Sequence, residues 1–274
     1  MAAHSGPGQG EPLLMPTETR QISQSSTREI PVREAALFLD LDGTLAEFES
    51  TPGEVGPEPR RTQLLKRAGE ALEGRLAVIS GRSLAEVDRI VEAQAACAAG
   101  IHGLERRNAT GEITSSEAHP RLPEVEGLLR DFAATRPGLL VEPKSLSVAL
   151  HYRNAPAQAD EVRRLARRLA LSTGLKLQDG DRVAELRTPG ADKGAAVRAF
   201  MAEPPFRGTL PIFVGDDLTD EDAFAEVESA GGVGVLVGPP RKTSASAGLR
   251  NVDHVFEWLD RALRSGVFQS EVIR

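Results

Sequence analysis

The chain has 274 residues, 40% of them hydrophobic, and a formal net charge of −7; that length suits one large domain or two modest ones. The acidic balance argues against nucleic acid as a partner, and a single Trp and a single Tyr leave no aromatic platform for bases or flat sugar faces. No apolar run approaches the roughly 18 residues that span a bilayer, residues 1–10 lack the basic start and apolar core of a secretion signal, and a cytosolic location is the default expectation.

Taken in order, residues 1–31 are rich in Gly, Pro, Ser, Thr and Gln and read as a disordered tail. Order is expected from Ala35. The run Ala36-Leu37-Phe38-Leu39 reads as a buried parallel strand ending in acid. Residues 62–72 have helical spacing, and Leu76-Ala77-Val78-Ile79 is a second apolar strand. Ser83 is placed to cap the helix over 84–95, with Glu86 at the capping-box position. Cys97 is the only cysteine, so no intrachain disulfide exists; its small apolar neighbours predict a buried, inert thiol. This alternation of strand and helix predicts a parallel sheet covered by helices.

The pattern then changes. Residues 123–134 and 157–171 are helical, 139–141 and 146–152 are strand-like, and Asp179-Gly180 marks a turn between 175–177 and 182–186. Two helix–hairpin units predict an α+β insertion over 119–187, between core segments 32–118 and 188–274. Arg163, Arg164, Arg167 and Arg168 recur beside Leu165 and Leu169 and read as a solvated helix face. Beyond the insertion the first pattern resumes, with helix at 193–202, strand at 210–214, helix at 219–227, strand at 232–237 and a closing helix at 255–263.

Four clusters carry chemistry. Asp40-Leu41-Asp42-Gly43-Thr44 follows the first strand; carboxylates two apart on a strand point the same way, and the carboxyl end of such a strand is where open α/β sheets bind ligands. A hard divalent cation would offset their repulsion. Ser80-Gly81-Arg82 follows the second strand and suits either phosphate oxygens at a helix start or ordinary capping. Lys193, in Asp192-Lys193-Gly194, opposes the helix dipole, which a bound phosphate would explain, as would an exposed surface position. In Gly215-Asp216-Asp217-Leu218-Thr219-Asp220-Glu221-Asp222, Asp216 and Asp217 stand at a strand end where a metal ligand belongs, while Thr219 and the later acids, Asp220 among them, read as a helix cap and first turn.

In the order acid pair, Ser, Lys, acid pair, these clusters resemble the four motifs of the haloacid dehalogenase (HAD) superfamily, over roughly residues 35–240. Ser80-Gly81-Arg82, Gly100-Ile101-His102-Gly103-Leu104-Glu105, Val141-Glu142-Pro143-Lys144, His151-Tyr152-Arg153 and Ala184-Glu185-Leu186-Arg187 further resemble the trehalose-6-phosphate phosphatase family. The resemblance implies a doubly wound α/β core with an inserted C2B-type α+β lid. It implies Asp40 as nucleophile, Asp42 as general acid and base, and Mg²⁺, or Mn²⁺, held by Asp40, the carbonyl of Asp42 and Asp216. Ser80, Gly81 and Lys193 would clamp the phosphate. Thr44, Arg82, His102, Asp217 and Asp220 would support them, and Glu142, Lys144, Arg153 and Glu185 of the lid would contact the sugar. The partner implied is a small sugar phosphate bound by a monomer, with no membrane and no nucleic acid. Another sugar-phosphate phosphatase or a phosphomutase on the same scaffold, or a silent binding module, are the competing readings.

Overall fold

The computed structural model describes Met1 and residues 28–49, 51–180 and 182–270; most of the tail expected over 1–31 lies outside these. Order begins earlier than expected from the sequence, at β1 (Glu29–Pro31). There follow β2 (Ala35–Leu39), α1 (Pro59–Ala71), β3 (Leu76–Ile79), α2 (Leu84–Val91), β4 (Cys97–Gly100) and a hairpin of β5 (Glu105–Arg107) and β6 (Ile113–Ser115). The cap comprises α3 (Leu122–Ala134), β7 (Leu140–Pro143), β8 (Ser147–His151), α4 (Ala159–Thr173), β9 (Lys176–Gly180) and β10 (Val183–Arg187). The chain returns through α5 (Lys193–Met201), β11 (Leu210–Gly215), α6 (Glu221–Ser229), β12 (Val233–Val237), β13 (Ala247–Leu249), α7 (Val252–Ser265) and β14 (Val267–Gln269). Among the described residues no helix is long and apolar enough to cross a membrane.

The main sheet has eight strands in the order β13-β12-β11-β2-β3-β4-β5-β6. The first six run parallel, and the β5–β6 hairpin adds an antiparallel edge. Every residue of β2 is buried, because helices cover both faces. Ala35, Leu37 and Leu39 pack with α1, α2 and α7, while Ala36 and Phe38 pack with α5 and α6. This is the α/β architecture expected, and β2 lies at its centre, where the strand order reverses. Such a switch point opens a crevice at the carboxyl ends of the strands. Leu39 pairs with Val214 on one side and Val78 on the other, so Asp40, Ser80 and Asp216 emerge from three adjacent strands.

Ser83 caps α2 and Glu86 completes the capping box, as the sequence suggests. Gly180 pairs with Val183, which moves the hairpin reversal beyond Asp179-Gly180. The cap sheet runs β7-β8-β10-β9, antiparallel throughout. One face, with Val148, Leu150, Ala184 and Leu186, packs on α3 and α4. The other, carrying Glu142, Ala149, Glu185 and Gln178 in one register row, looks onto the crevice.

Behind β2, the Phe206 ring stacks on Phe38 at 5.4 Å and lies 5.3 Å from Phe200. Phe206→Ala is expected to cost about 3–5 kcal/mol of unfolding free energy, read as a lower midpoint in urea at constant slope. An unmoved midpoint would show that this cluster does not support the central strand.

Candidate active site

Asp40 and Lys193 form the centre of the crevice. Lys193 opens α5 and is buried, so the surface position left open by the sequence is ruled out. Asp192 caps the helix instead, accepting from the Ala195 amide. The Lys193 ammonium donates to Asp40 Oδ1 at 2.8 Å and to Asp220 Oδ1 at 2.6 Å. Burial opposes its charge, but Asp220 and Asp40 together hold its pKa above the ordinary lysine range.

Asp220 corrects the sequence reading. It is fully buried, and its other oxygen accepts from the backbone amides of Asp216 and Asp217 at 2.9 and 3.0 Å. One carboxylate thus ties the end of β11 to the lysine. The cap of the short 3-10 turn Leu218–Asp220 is Asp217 rather than Thr219, and Asp217 accepts there from the Leu218 amide.

Oxygens of Asp40, Asp216 and Asp220 lie within 4.8 Å of one another. Burial and the neighbouring Asp220 push the Asp40 carboxyl up to about 7, against the pull of Lys193. Burial and the neighbouring carboxylates Asp40 and Asp220 push Asp216 up to about 9. A single ammonium leaves this cluster short of positive charge, and hard divalent cations take carboxylate oxygens. Since both oxygens of Asp220 are engaged, Asp40 and Asp216 are the pair that fits an ion. Space is reserved for them. Gly43 has φ +83, and a Cβ there would fall 2.2 Å from Asp216 Oδ2. Thr44, fully buried, reaches Asp216 Oδ1 at 3.5 Å.

The Asp42 carboxylate stands apart from this cluster. Arg82 grips it with two hydrogen bonds of 2.7 Å each, a planar bidentate pair. Ser80 is buried at the end of β3, where its hydroxyl accepts from the Arg82 amide. Asp40, Asp42, Ser80, Gly81, Arg82, His102, Lys193 and Asp217 line one cleft with Glu142, Lys144, Arg153 and Glu185 of the cap.

Within the cap, Glu142 pairs with His151 at 2.7 Å. Lys144 donates to the Gly81 carbonyl at 3.2 Å and to Glu185 at 3.5 Å. Arg153 donates to the Glu49 carbonyl at 3.2 Å and lies over the Phe48 ring. Glu105 caps the Leu84 amide and accepts from Ser145, outside the cleft. Gln178, His151 and Phe48 also line the cleft, and sequence reading missed them; only the strand register, which puts Gln178 opposite Glu185, exposes the first.

Two expectations follow. Gly43→Ala should cut turnover by about a hundredfold through displacement of Asp216, with an unchanged circular dichroism spectrum; full activity would show that the carboxylate has room to move. Burial alone would raise the Glu185 carboxyl, yet Lys144, His102 and Ser147 hold it well below its ordinary 4.5. The unfolded chain therefore binds this proton more readily, and the stability Glu185 contributes is complete above 4.5 and lost as pH falls below it. Glu185→Gln should flatten the decline of unfolding free energy on the acid side, measured by urea titration at stepped pH; an unaltered slope would remove Glu185 from the account.

The match to known proteins agrees with this geometry. Residues 38–253 fit the family described as Trehalose-phosphatase. The trehalose-6-phosphate phosphatase of Escherichia coli is 40% identical over 229 residues, covering 82% of this chain and 85% of that protein. A crystal structure of a trehalose-6-phosphate phosphatase related protein superposes with a TM-score of 0.70 at 26% identity, covering 84% of this chain and 97% of that one. A haloacid dehalogenase-like hydrolase from Bacteroides thetaiotaomicron shares the fold, with a TM-score of 0.60 at 17% identity over 83% of this chain and 98% of that one. The chain belongs to the trehalose-phosphatase family of HAD-fold phosphoric monoester hydrolases.

Proposed function

We propose that the chain hydrolyses trehalose 6-phosphate to trehalose and inorganic phosphate through an acyl phosphate on Asp40. The observation that carries this reading is the convergence of Asp216 and Asp220 on Asp40 and Lys193, which line a cleft shared with charged cap residues. An Asp40 oxygen attacks phosphorus, and the bond from phosphorus to the sugar oxygen breaks. Asp42, freed from Arg82 and carrying a proton, gives it to that sugar oxygen. Water, giving a proton to Asp42, then attacks phosphorus, the bond from phosphorus to the Asp40 oxygen breaks, and inorganic phosphate leaves with Asp40 restored.

Lys193 and the Ser80-Gly81 turn hold the phosphate oxygens. Asp40, Asp216 and the backbone carbonyl of Asp42 would hold Mg²⁺ or Mn²⁺, both of which favour oxygen ligands. When bound, such an ion withdraws charge from the transferring phosphoryl group. Glu142, Lys144, Arg153 and Glu185 present charged hydrogen-bonding groups to the hydroxyls of the disaccharide.

Phosphate release from a panel of trehalose 6-phosphate, glucose 6-phosphate and other sugar phosphates tests the reading. Trehalose 6-phosphate should be preferred, chelator should remove the activity and Mg²⁺ should restore it. Asp40→Asn should lower turnover by about a thousandfold or more while the fold survives. Substantial turnover by a clean Asp40→Asn preparation would sink the assigned nucleophile, and transfer of phosphate within one sugar would favour a mutase.

A further inference from the structure

His102 belongs to the core, yet its ring is held by the cap. The backbone there is unusual. Ile101 and His102 have φ of 45° and 55°, a left-handed conformation that non-glycine residues adopt only when their surroundings impose it. Two hydrogen bonds do so: Ile101 N–H to the Arg82 carbonyl at 2.8 Å, and His102 N–H to the Ser80 carbonyl at 2.9 Å. The imidazole thereby lies against the phosphate turn, so close that a Cβ on Gly81 would fall 2.6 Å from its Cε1.

From that position the ring meets two cap strands. Its Nε2 lies 3.3 Å from Glu185 Oε2 on β10. The Gln178 amide on β9 donates toward the ring, 2.9 Å from Nδ1 and 3.1 Å from Nε2. Glu185, an acceptor, calls for a hydrogen on Nε2, while the Gln178 amide nitrogen, nearly equidistant from the two ring nitrogens, packs over the ring. Burial, opposed by Glu185, holds the ring below its ordinary pKa and so in the neutral form. A third contact closes the circuit: Lys144 joins Glu185 to the Gly81 carbonyl, so cap and phosphate turn are linked on two sides of one ring.

We propose that His102 is a positioning residue, a core-side latch that seats Gln178 and Glu185 of the cap against the Ser80-Gly81 turn and so couples sugar clamping to phosphate binding. The proposal rests on the trehalose 6-phosphate reading for its substrate, but the latch itself is a property of cap and core. A large ester needs the seated cap to orient its sugar; a small aryl phosphate held by the phosphate clamp alone depends on it less.

The test uses His102→Asn, since asparagine tolerates the left-handed backbone but is too short to reach both partners. Its loss of kcat/KM for trehalose 6-phosphate should exceed its loss for p-nitrophenyl phosphate by roughly tenfold, the worth of a hydrogen bond to a charged group. Gln178→Ala should show the same bias, and the double variant should add little to either. Independently, spin labels at Leu171→Cys on the cap, 90% exposed, and Arg250→Cys on the core report the separation of the two bodies. Cys97 will not compete, being buried with its thiol pushed up to about 11 by that burial. His102→Asn should broaden the distance distribution toward open forms. Either equal losses for the two esters or an unchanged distribution overturns the latch. If the wild-type chain leaves trehalose 6-phosphate untouched, the substrate reading fails and the distance distribution alone decides the latch.

Discussion

Lys193 carries one positive charge in a place where water cannot help it. It is shared by Asp40 at 2.8 Å and Asp220 at 2.6 Å, and all three groups are buried. Removing the lysine would leave both carboxylates buried without their cation, a costly change in an interior. The rest of the site is arranged around that demand. Asp220 spends its second oxygen on the amides of Asp216 and Asp217, fixing where β11 ends. With Asp216 added, the carboxylates outnumber the ammonium, and the surplus negative charge is what makes the crevice receptive to a cation.

The same lysine ties the two bodies of the molecule together along the chain. The cap leaves the core after β6 and returns through β10, which ends at Arg187, only a short loop before Lys193. The cap sheet divides its labour by the alternation of its strands. One face buries Val148, Leu150, Ala184 and Leu186 against its own helices. The other offers Glu142, Glu185 and Gln178 to the crevice. Half of the cleft is therefore built on an element that has a core of its own.

Much of this was legible in the chain. Asp40, Ser80 and Asp216 could be found because each ends an apolar run, and strand tips in a parallel sheet share an edge. Lys193 was legible only as a conflict with the helix dipole, and burial resolves the conflict. Asp220 was named only through the family resemblance, since from pattern alone an acid in a first helical turn looks the same whether it faces water or folds back on a lysine. Gln178 was hidden for another reason. Its partner on the next strand is Glu185, a relation that depends on register, and the Asp179-Gly180 signal placed the reversal too early. The short strands β1, β5, β6, β13 and β14 have three residues each, too few for any period to emerge. The Trp258 indole, which donates to the Gln269 carbonyl, is a contact of the same kind, set by the tertiary path alone.

One of those short pairings has a consequence for how the polypeptide can be cut and rejoined. β1 and β14 lie side by side, the Arg28 amide donates to the Ser270 hydroxyl at 2.8 Å, and the Ser270 amide returns the bond to the Arg28 carbonyl at 2.9 Å. From β1 the chain runs up through β2 to Asp40, so this junction sits at the amino edge of the sheet, a strand's length from the cleft. A brief peptide joining residues 28 and 270 would span this edge, away from the cleft. New ends opened beside Gly111, around whose Cβ position nothing approaches within 4 Å, would yield a circularly permuted chain with every strand of the three sheets in its present place.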